Sequence, residues 1–396
     1  MKNIIGNIAL VIISTMIALA ISEIGLRIIY PQSPTVFYQP HPVLGWELIP
    51  NKEGTAYGNV FEYQTGIKIN SLGLRDDELD LSNKDKKTIL VLGDSYTFSQ
   101  AVEKNETFVE KLQNQLSLTL NKEVEVINAG RNGYGTAQEL LLYRELSEKG
   151  LKPDLVFLMF FTNDILNNLC FNAKLDKTQN KPCYEIVDNE LKLTHLPEIN
   201  KNPRVTSWTP LRSFINRLYL HQLAYWKGYY FTTNHPAVIS FLGEVGFNID
   251  PPVTPSILKG WYSEKTAEGW ALTKALINKL KEEVEKDGGH FVVVNIPSVL
   301  QLSKPTQKLL SMTFDSKEVD EFLKDTRKPY RLLKTFYDDS KILVIDLYPA
   351  FEAATEDDDD ITFYYYLIDG HWTPRGQQIA ADFIMENGVI QNVLGN

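Results

Sequence analysis

The stretch TILVLGDS, residues 88–95, joins an apolar run to a short polar turn. A continuous apolar run of this length is typical of a strand that is buried on both faces of a parallel sheet. Ser95 follows at the end of that strand, where the chain turns into a helix and backbone amides can stabilise negative charge. Active sites of open parallel sheets lie at the carboxyl ends of the strands. The stretch therefore predicts an α/β fold and makes Ser95 a candidate nucleophile, although a serine at this place can also simply cap the helix.

The chain after this stretch continues to alternate strand patterns with helix patterns. Such alternation predicts a parallel sheet that is covered by helices on both sides. The predicted strands are residues 88–92, 124–127, 155–160, 291–294 and 342–345. The predicted helices are residues 106–120, 136–149, 263–286 and 319–336, with a last helix that begins at about Pro374.

Two polar blocks follow the second and third predicted strands. Gly133 lies in the first of them, and a glycine there lets a backbone amide approach a substrate oxygen closely. Asn163 lies in the second, and its side-chain amide can donate a hydrogen bond to a developing oxyanion. Each block also has a purely structural interpretation, which is a tight turn for Gly133 and an Asx turn or helix cap for Asn163.

A further block, Asp369-Gly370-His371, lies just before the last predicted helix. A neutral histidine can take the proton of a serine hydroxyl, and a carboxylate can orient the imidazole ring and stabilise the imidazolium. The other five of the six histidines have no comparable neighbours. His371 is therefore the candidate base, and Asp369 is its candidate orienting acid.

The order and placement of these blocks resemble those of the SGNH hydrolases, which are also called GDSL esterases and lipases. The resemblance extends over about residues 86–387, without an insertion at residues 166–259. It implies a hydrolase domain over residues 86–390 with a three-layer α/β/α, flavodoxin-like fold and a parallel sheet. The roles it implies are nucleophile for Ser95, base for His371, orienting acid for Asp369, and oxyanion-hole donors for the backbone amides of Ser95 and Gly133 and the side chain of Asn163.

Two departures from the family pattern bear on the site. Phe161 stands where the third block usually has a glycine, which could reshape the oxyanion hole or the acyl pocket. Only Gly370 separates Asp369 from His371, where the family commonly has two residues, and this Asp-x-His-Trp arrangement resembles that of exported SGNH-like polysaccharide O-acetyltransferases. Alternate residues of an extended segment point to the same side, so we expect the acid and the base to meet. The alternative acid is Asp346, at the end of the last predicted strand, which otherwise caps a helix or turn.

The N-terminal segment, residues 1–28, is predicted to be a membrane anchor. It carries no charge from Ile4 to Ser22, and these 19 residues in a helix would span about 28 Å, close to the thickness of a bilayer core. The competing interpretation is a cleaved signal peptide, since Ala18-Leu19-Ala20 resembles a cleavage site. We expect a retained helix, with the catalytic domain on the extracytoplasmic side, in the periplasm or at the cell surface.

Two other regions lie outside the repeating pattern. Residues 29–85 are rich in proline, glycine, asparagine and aromatic residues and predict an accessory strand-and-turn region without an assignable motif. Residues 166–259 are longer than a normal connection and predict an insertion, either a lid that faces the substrate or an additional helical subdomain. Cys170 and Cys183 enclose a short polar loop in this insertion. In an exported domain they predict a disulfide, with two unpaired thiols as the alternative.

Composition limits the partners of the protein but leaves its substrate open. A net charge of −10 and a pI near 5.3 argue against a nucleic-acid binder. The sequence implies neither a metal nor an organic cofactor, and it does not indicate an oligomeric state. The leading hypothesis is an exported esterase that removes acyl groups from a cell-surface glycan or lipid. An acyltransferase that uses a sugar hydroxyl as acceptor would need the same residues, and a catalytically silent glycan-binding or scaffold protein is the alternative of another class.

Overall fold

The computed structural model describes residues 2–32, 34–58, 62–83, 86–120, 123–169, 181–197, 218–234, 267–313, 317–357, 360–366 and 369–394. The strands are β1 (Tyr38–His41), β2 (Gly45–Leu48), β3 (Glu53–Tyr57), β4 (Gln64–Lys68), β5 (Lys87–Gly93), β6 (Val124–Asn128), β7 (Leu155–Phe160), β8 (Cys183–Val187), β9 (Glu190–His195), β10 (His290–Asn295) and β11 (Leu343–Asp346). The α-helices are α1 (Lys2–Ile29), α2 (Ser95–Phe98), α3 (Phe108–Leu120), α4 (Thr136–Glu148), α5 (Asp164–Asn167), α6 (Tyr219–Asn234), α7 (Ala267–Lys286), α8 (Val299–Leu302), α9 (Lys304–Thr313), α10 (Lys317–Lys324), α11 (Lys328–Asp339), α12 (Tyr348–Asp357), α13 (Pro374–Glu386) and α14 (Val389–Leu394). Short 3₁₀ helices cover Lys104–Glu106 and Ile361–Phe363.

The central sheet is parallel and has the strand order β6-β5-β7-β10-β11. Its first strand, β5, therefore lies between the second and the third, which is the flavodoxin-like order with its switch point between β5 and β7. The register pairs Val91 with Asn128 and Gly93 with Met159, so the carboxyl ends of β5, β6 and β7 lie side by side. The predicted fold class is confirmed.

Alternate residues of the sheet strands enter two separate cores. On β5, Leu90 and Leu92 pack on the side covered by α4 and α7, whereas Ile89 and Val91 pack on the side covered by α3 and α13. All four side chains are fully buried. Because successive strand side chains point to opposite faces, an uninterrupted apolar run requires a covering layer on each face. The fold therefore has three layers, with the sheet between two layers of helices.

The accessory region forms the antiparallel hairpins β1–β2 and β3–β4. Its apolar side chains pack on Phe98 of α2, the helix that begins with Ser95. The buried guanidinium of Arg75 donates hydrogen bonds to the carbonyl oxygens of Phe98 and Val102, at 2.7 and 2.6 Å. The region is therefore part of the support beneath Ser95.

The prediction of one continuous helix at residues 319–336 is wrong. The structure has two helices there, α10 and α11, and Pro329 lies in the first turn of the second. Proline lacks the N–H that would continue a preceding helix but suits the first turn of a new one. The sequence also failed to predict α8 and α9, which are short and lack a long apolar stripe.

Much of the predicted insertion at residues 166–259 lies outside the described residues. The described part contains the hairpin β8–β9 and the helix α6. Cys183 is buried at the start of β8, while Cys170 lies outside the described residues, so their disulfide stays a prediction. The choice between a lid and a helical subdomain likewise stays open to experiment.

Within the described residues, Ile4–Ile29 of α1 is the one helix long and apolar enough to cross a membrane, and its side chains are not buried in the protein. A membrane anchor and a signal segment both fit this finding. Near the end of α1, the carboxylate of Glu23 accepts hydrogen bonds from the backbone N–H groups of Tyr219 and Leu220 at 3.1 and 3.0 Å. These amides belong to the first turn of α6, which also packs against α9. The N-terminal helix is thus linked to the insertion as well as to the chain that follows it.

Candidate active site

Ser95 is the first residue of α2, directly beyond the end of β5. Asp94 caps this helix, because its Oδ1 accepts a hydrogen bond from the backbone N–H of Tyr96 at 2.9 Å. The capping function that the sequence left open for Ser95 therefore belongs to Asp94. The Ser95 side chain is partly exposed and remains available for chemistry.

Ser95, His371 and Asp369 form a continuous hydrogen-bonded series. The distance between His371 Nε2 and Ser95 Oγ is 2.6 Å, and that between His371 Nδ1 and Asp369 Oδ1 is 2.5 Å. The ionised carboxylate can only accept, so Nδ1 carries a proton and Nε2 presents its lone pair to the serine hydroxyl. This arrangement has the polarity that a nucleophile, base and orienting acid require.

Gly370 explains how an acid and a base that are two positions apart can meet. Its backbone lies in the left-handed region, with φ +78°, and its N–H donates to the carbonyl oxygen of Tyr366 at 2.9 Å. The N–H of Tyr366 in turn donates to the carbonyl oxygen of His371 at 2.8 Å. The predicted contact is made, but the predicted extended geometry is wrong, because a tight turn brings the carboxylate to the ring. A side chain at position 370 would be strained in this conformation.

Aromatic packing holds the histidine turn against α2. The ring of Tyr96 lies 4.8 Å from the ring of His371, and its hydroxyl donates to the carbonyl oxygen of Gly370 at 3.0 Å. Trp372 is fully buried and meets Tyr96 edge-on at 5.1 Å. Phe161, at the position where the family pattern has glycine, also packs on Tyr96, with 4.8 Å between the ring centroids. Its bulk therefore supports the aromatic cluster behind His371.

Three hydrogen-bond donors are predicted to form the oxyanion hole. The backbone N–H groups of Ser95 and Gly133 have no acceptor within the described part of the chain. Gly133 has φ +74° in the turn after β6, a conformation that favours glycine. The side-chain amide of Asn163, in the loop after β7, donates one of its two protons to Asp94 Oδ2 at 2.8 Å. Its second proton is available to a substrate oxygen.

Burial and charge set the protonation of the base and its partner. Burial lowers the pKa of His371, but the hydrogen bond and charge of Asp369 and the charge of Asp94 outweigh it and raise that pKa above 6.5. Burial raises the pKa of Asp369, but the contacts with His371 and Tyr63 outweigh it and lower that pKa. Asp369 therefore remains ionised through the range in which His371 titrates.

The acid limb of the pH–rate profile should accordingly have its midpoint above pH 6.5. A base must be neutral to accept a proton, so an enzyme that uses His371 as its base would lose activity when His371 is protonated. Since the folded protein raises the pKa of His371, activity is lost at a higher pH on acidification than for an unperturbed histidine. Measuring kcat/KM for an ester between about pH 5 and 9 tests this, and a midpoint at or below 6.5 would contradict it.

Asp346, the alternative acid, is engaged elsewhere. Its Oδ2 lies 2.5 Å from the guanidinium of Arg327, and its Oδ1 accepts a hydrogen bond from the backbone N–H of Tyr348 at 3.1 Å. Asp346 thus forms an ion pair and caps the start of α12, whereas Asp369 is the carboxylate that contacts His371.

Tyr63 and Glu62 also contact Asp369, and the sequence analysis did not single them out. The hydroxyl of Tyr63 donates to Asp369 Oδ2 at 3.2 Å, and the backbone N–H of Asp369 donates to Glu62 Oε2 at 3.0 Å. Both residues belong to the accessory region, which has no motif. No signal in a single sequence would have found them.

One group of side chains among the described residues has the spacing of a cation site, namely His41, Glu47 and Glu145. However, Nδ1 of His41 accepts hydrogen bonds from the backbone N–H groups of Val43 and Leu44 at 3.3 and 3.0 Å. Because Nδ1 accepts these bonds, the ring carries a proton on Nε2, which lies 3.7 Å from Glu145 Oε2. A nitrogen that presents a proton is a hydrogen-bond donor and does not suit a metal.

Two fully buried carboxyl groups lie on α4 and α5. Among the described residues, both oxygens of Glu139 and Oδ1 of Asp164 have no hydrogen-bond partner, and Thr136 donates to the other oxygen of Asp164 at 3.3 Å. Burial, and then the charge of neighbouring carboxylates, raises the pKa of both groups well above the usual range. The folded protein therefore keeps protons here at a pH where the unfolded chain has released them.

Replacing Glu139 with glutamine should stabilise the protein, and the gain should grow from about pH 5 to pH 8. Because the folded state binds more protons than the unfolded state in this range, stability falls as the pH rises. Glutamine has the shape of the protonated carboxyl and no such dependence, so we expect a gain of about 1–3 kcal/mol at pH 8. Urea unfolding at both pH values measures it. Glu148→Gln, at the exposed end of the same helix, is the control, and a destabilised Glu139→Gln protein at pH 8 would contradict the prediction.

Comparison with known families agrees with this geometry. Residues 89–236 match the family model described as GDSL-like lipase/acylhydrolase. The chain contains a GDSL-like lipase/acylhydrolase domain. The matched segment includes Ser95, Gly133 and Asn163, whereas Asp369 and His371 lie beyond its end and reach Ser95 through the fold. The prediction of a GDSL-type serine esterase is confirmed at the level of the family.

Several solved structures are similar to this chain. TesA has 12% sequence identity and a TM-score of 0.39, with 78% of this chain and 100% of that chain covered. A catalytic mutant of an acetylxylan esterase from Geobacillus stearothermophilus has 12% identity and a TM-score of 0.36, over 76% of this chain and 93% of that chain. A lipolytic protein of the G-D-S-L family from Veillonella parvula has 16% identity and a TM-score of 0.34, over 76% of this chain and 97% of that chain. No curated protein matches the chain.

Proposed function

We propose that this protein is a membrane-anchored serine esterase that cleaves carboxylic esters through an acyl-enzyme on Ser95. The observation that carries the proposal is the series of short hydrogen bonds from Ser95 Oγ through His371 to Asp369, at 2.6 and 2.5 Å. A protein that only bound glycans or served as a scaffold would not need a serine, an imidazole and a carboxylate in this order and polarity.

The mechanism follows from the protons that these groups hold. His371 Nε2 takes the proton of Ser95 as its oxygen attacks the ester carbonyl, and Asp369 stabilises the resulting imidazolium. The imidazolium then gives this proton to the departing alcohol, which leaves the acyl group on Ser95. A water molecule then attacks the acyl-enzyme while His371 takes a proton from it, and the imidazolium returns this proton to the Ser95 oxygen as the acid is released.

The oxyanion formed in each attack needs donors that are already in place. The backbone N–H groups of Ser95 and Gly133 and the second amide proton of Asn163 would bind it. Asp94 fixes Asn163 from behind through the 2.8 Å hydrogen bond, and burial raises the pKa of the Asp94 carboxyl. Orienting donors before the reaction avoids their reorganisation in the transition state.

The substrate class we propose is an O-acyl group, such as acetyl, on a cell-surface glycan or lipid. Ser95, Asn163 and His371 are all partly open to solvent, which suits an acyl group carried on a large molecule. The apolar helix α1 would hold the GDSL-like domain at a membrane surface, on its extracytoplasmic side.

A purified full-length sample in detergent micelles tests the proposal. We expect turnover of p-nitrophenyl acetate and butyrate, and covalent labelling by a fluorophosphonate probe on the peptide that contains Ser95. A folded protein that neither turns over esters nor takes the label would overturn the proposal. Adding a soluble xylo-oligosaccharide separates two fates of the acyl-enzyme, because acylated sugar would indicate transfer, while unchanged hydrolysis would indicate an esterase.

A further inference from the structure

The carboxylate of Asp369 has two oxygens, and the reaction described above uses one of them. Oδ1 binds His371, while Oδ2 accepts the hydrogen bond from the hydroxyl of Tyr63 at 3.2 Å. Tyr63 is nearly buried, and its ring packs against that of Tyr366 at 5.3 Å. Its hydroxyl is therefore held in place rather than free to rotate into solvent.

The hydroxyl of Tyr63 is also the acceptor of a second hydrogen bond. Gln100 Nε2 donates to it at 2.8 Å, and Gln100 Oε1 accepts from Asn132 Nδ2 at 2.6 Å. Because ionised Asp369 can only accept, Tyr63 must donate to it, and Gln100 must then donate to Tyr63. The carboxylate of Asp369 thus fixes the donor and the acceptor in each hydrogen bond of the series Asn132, Gln100, Tyr63 and Asp369.

The other end of this series is the turn that contains Gly133. The accessory region holds the residue before it, Asn132, because Tyr38 accepts its backbone N–H at 3.0 Å and Trp46 donates to its carbonyl oxygen at 3.1 Å. Side chains of the accessory region therefore contact both the orienting acid and the turn with the predicted oxyanion donor.

We propose that Tyr63 is a positioning residue of this active site, which holds Asp369 in line with His371 and ties it through Gln100 to the turn before Gly133. This proposal rests on the proposed esterase function. Within the turn, the carboxylate of Asp369 is bound by the ring and by the backbone N–H of His371. Tyr63 adds a contact to the other oxygen from a part of the chain about 300 positions away.

Tyr63→Phe tests the proposal in the full-length enzyme. Hydrogen bonds to charged groups are worth more than neutral ones, so we expect kcat to fall by about 10-fold with KM within about 2-fold of wild type. The matched control is Tyr143→Phe. Its hydroxyl likewise donates to a carboxylate, Asp287 Oδ2 at 3.0 Å, but lies between α4 and α7, so kcat should not change.

The pH–rate profile separates positioning from a general loss of stability. In Tyr63→Phe, no hydroxyl donates to Oδ2 of Asp369, so the negative charge of the carboxylate acts more strongly on His371. The pKa of His371 should rise, and the acid limb should move to higher pH. Asp94, Glu62 and Tyr366 also face this pair and are unchanged in Tyr63→Phe. A Tyr63→Phe enzyme with the wild-type kcat and the wild-type acid limb would overturn the proposal.

Gln100→Glu keeps the test decisive even if Tyr63→Phe fails to fold. An ionised glutamate at position 100 can only accept, so it would draw the proton of Tyr63 away from Asp369 and lower kcat by a similar factor. If both variants fold, the loss caused by Gln100→Glu should disappear in the Tyr63→Phe background, whereas equal losses in both backgrounds would overturn the proposal. Failure of the proposed function itself would look different, since wild-type protein would then show no turnover that depends on Ser95.

Discussion

Replacing Ser95 with alanine should lower kcat for ester hydrolysis by roughly 10⁴- to 10⁶-fold. The hydroxyl that His371 deprotonates would be absent, so no acyl-enzyme could form. The donors of Gly133 and Asn163 would remain and could still stabilise attack by water, which is why some activity above the uncatalysed rate is expected. Steady-state turnover of p-nitrophenyl acetate by wild-type and variant protein at equal concentration measures the loss.

A control serine separates the chemistry from the position. Ser298 also follows the end of a sheet strand, β10, and its hydroxyl accepts a hydrogen bond from the backbone N–H of Leu300 at 3.2 Å as a helix cap. Ser298→Ala should keep kcat within a few-fold of wild type. Retention of more than about one hundredth of wild-type activity in a folded Ser95→Ala protein would contradict the assignment of the nucleophile.

Replacing Asp369 with asparagine should lower kcat by about 10⁴-fold with little change of the fold. An amide can donate to Nδ1 of His371, which would place the ring proton on Nε2 and direct it at the serine hydroxyl. The base would then be in the wrong tautomer, and the imidazolium would lose its counter-charge. The acid limb of any residual activity should move to lower pH, because the carboxylate no longer raises the pKa of His371.

The matched control for Asp369 is Asp346→Asn. Asp346 is the last residue of the sheet strand β11 and was the alternative acid for His371, but it pairs with Arg327 and caps α12. We expect Asp346→Asn to reduce stability and leave kcat within a few-fold of wild type. Equal losses of kcat in the two variants would contradict the role of Asp369 and return Asp346 to consideration.

The central sheet could be predicted from the sequence because strands buried on both faces are continuous apolar runs. Residues 155–160 were predicted as a strand, and β7 has the same bounds. The order of the strands depends on contacts between distant segments, so only the family resemblance implied it. The split between α10 and α11 was readable from Pro329, whereas the short helices α8 and α9 gave no long periodic signal.

The residues of the candidate site also differ in whether the sequence predicts them. Ser95, Asn163 and His371 could be predicted because each lies in a short block at the end of a strand or before a helix. Asp369 was predicted with a mistaken geometry, since no pattern reports that Gly370 takes a left-handed conformation. Tyr63 could not be predicted, because its partner is 306 positions away and the contact exists only after the accessory hairpins have packed on α2.

The hydrogen bonds from the first turn of α6 to Glu23 have a mechanical consequence. They give α1 a second connection to the domain through α6 and α9, and Leu310 of α9 lies in the core that covers one face of the sheet. The N-terminal helix is therefore connected to the rest of the protein by its contacts with α6 as well as by the chain that follows it. A bilayer that held α1 would therefore also keep α6, and with it the domain that carries Ser95, close to the membrane surface.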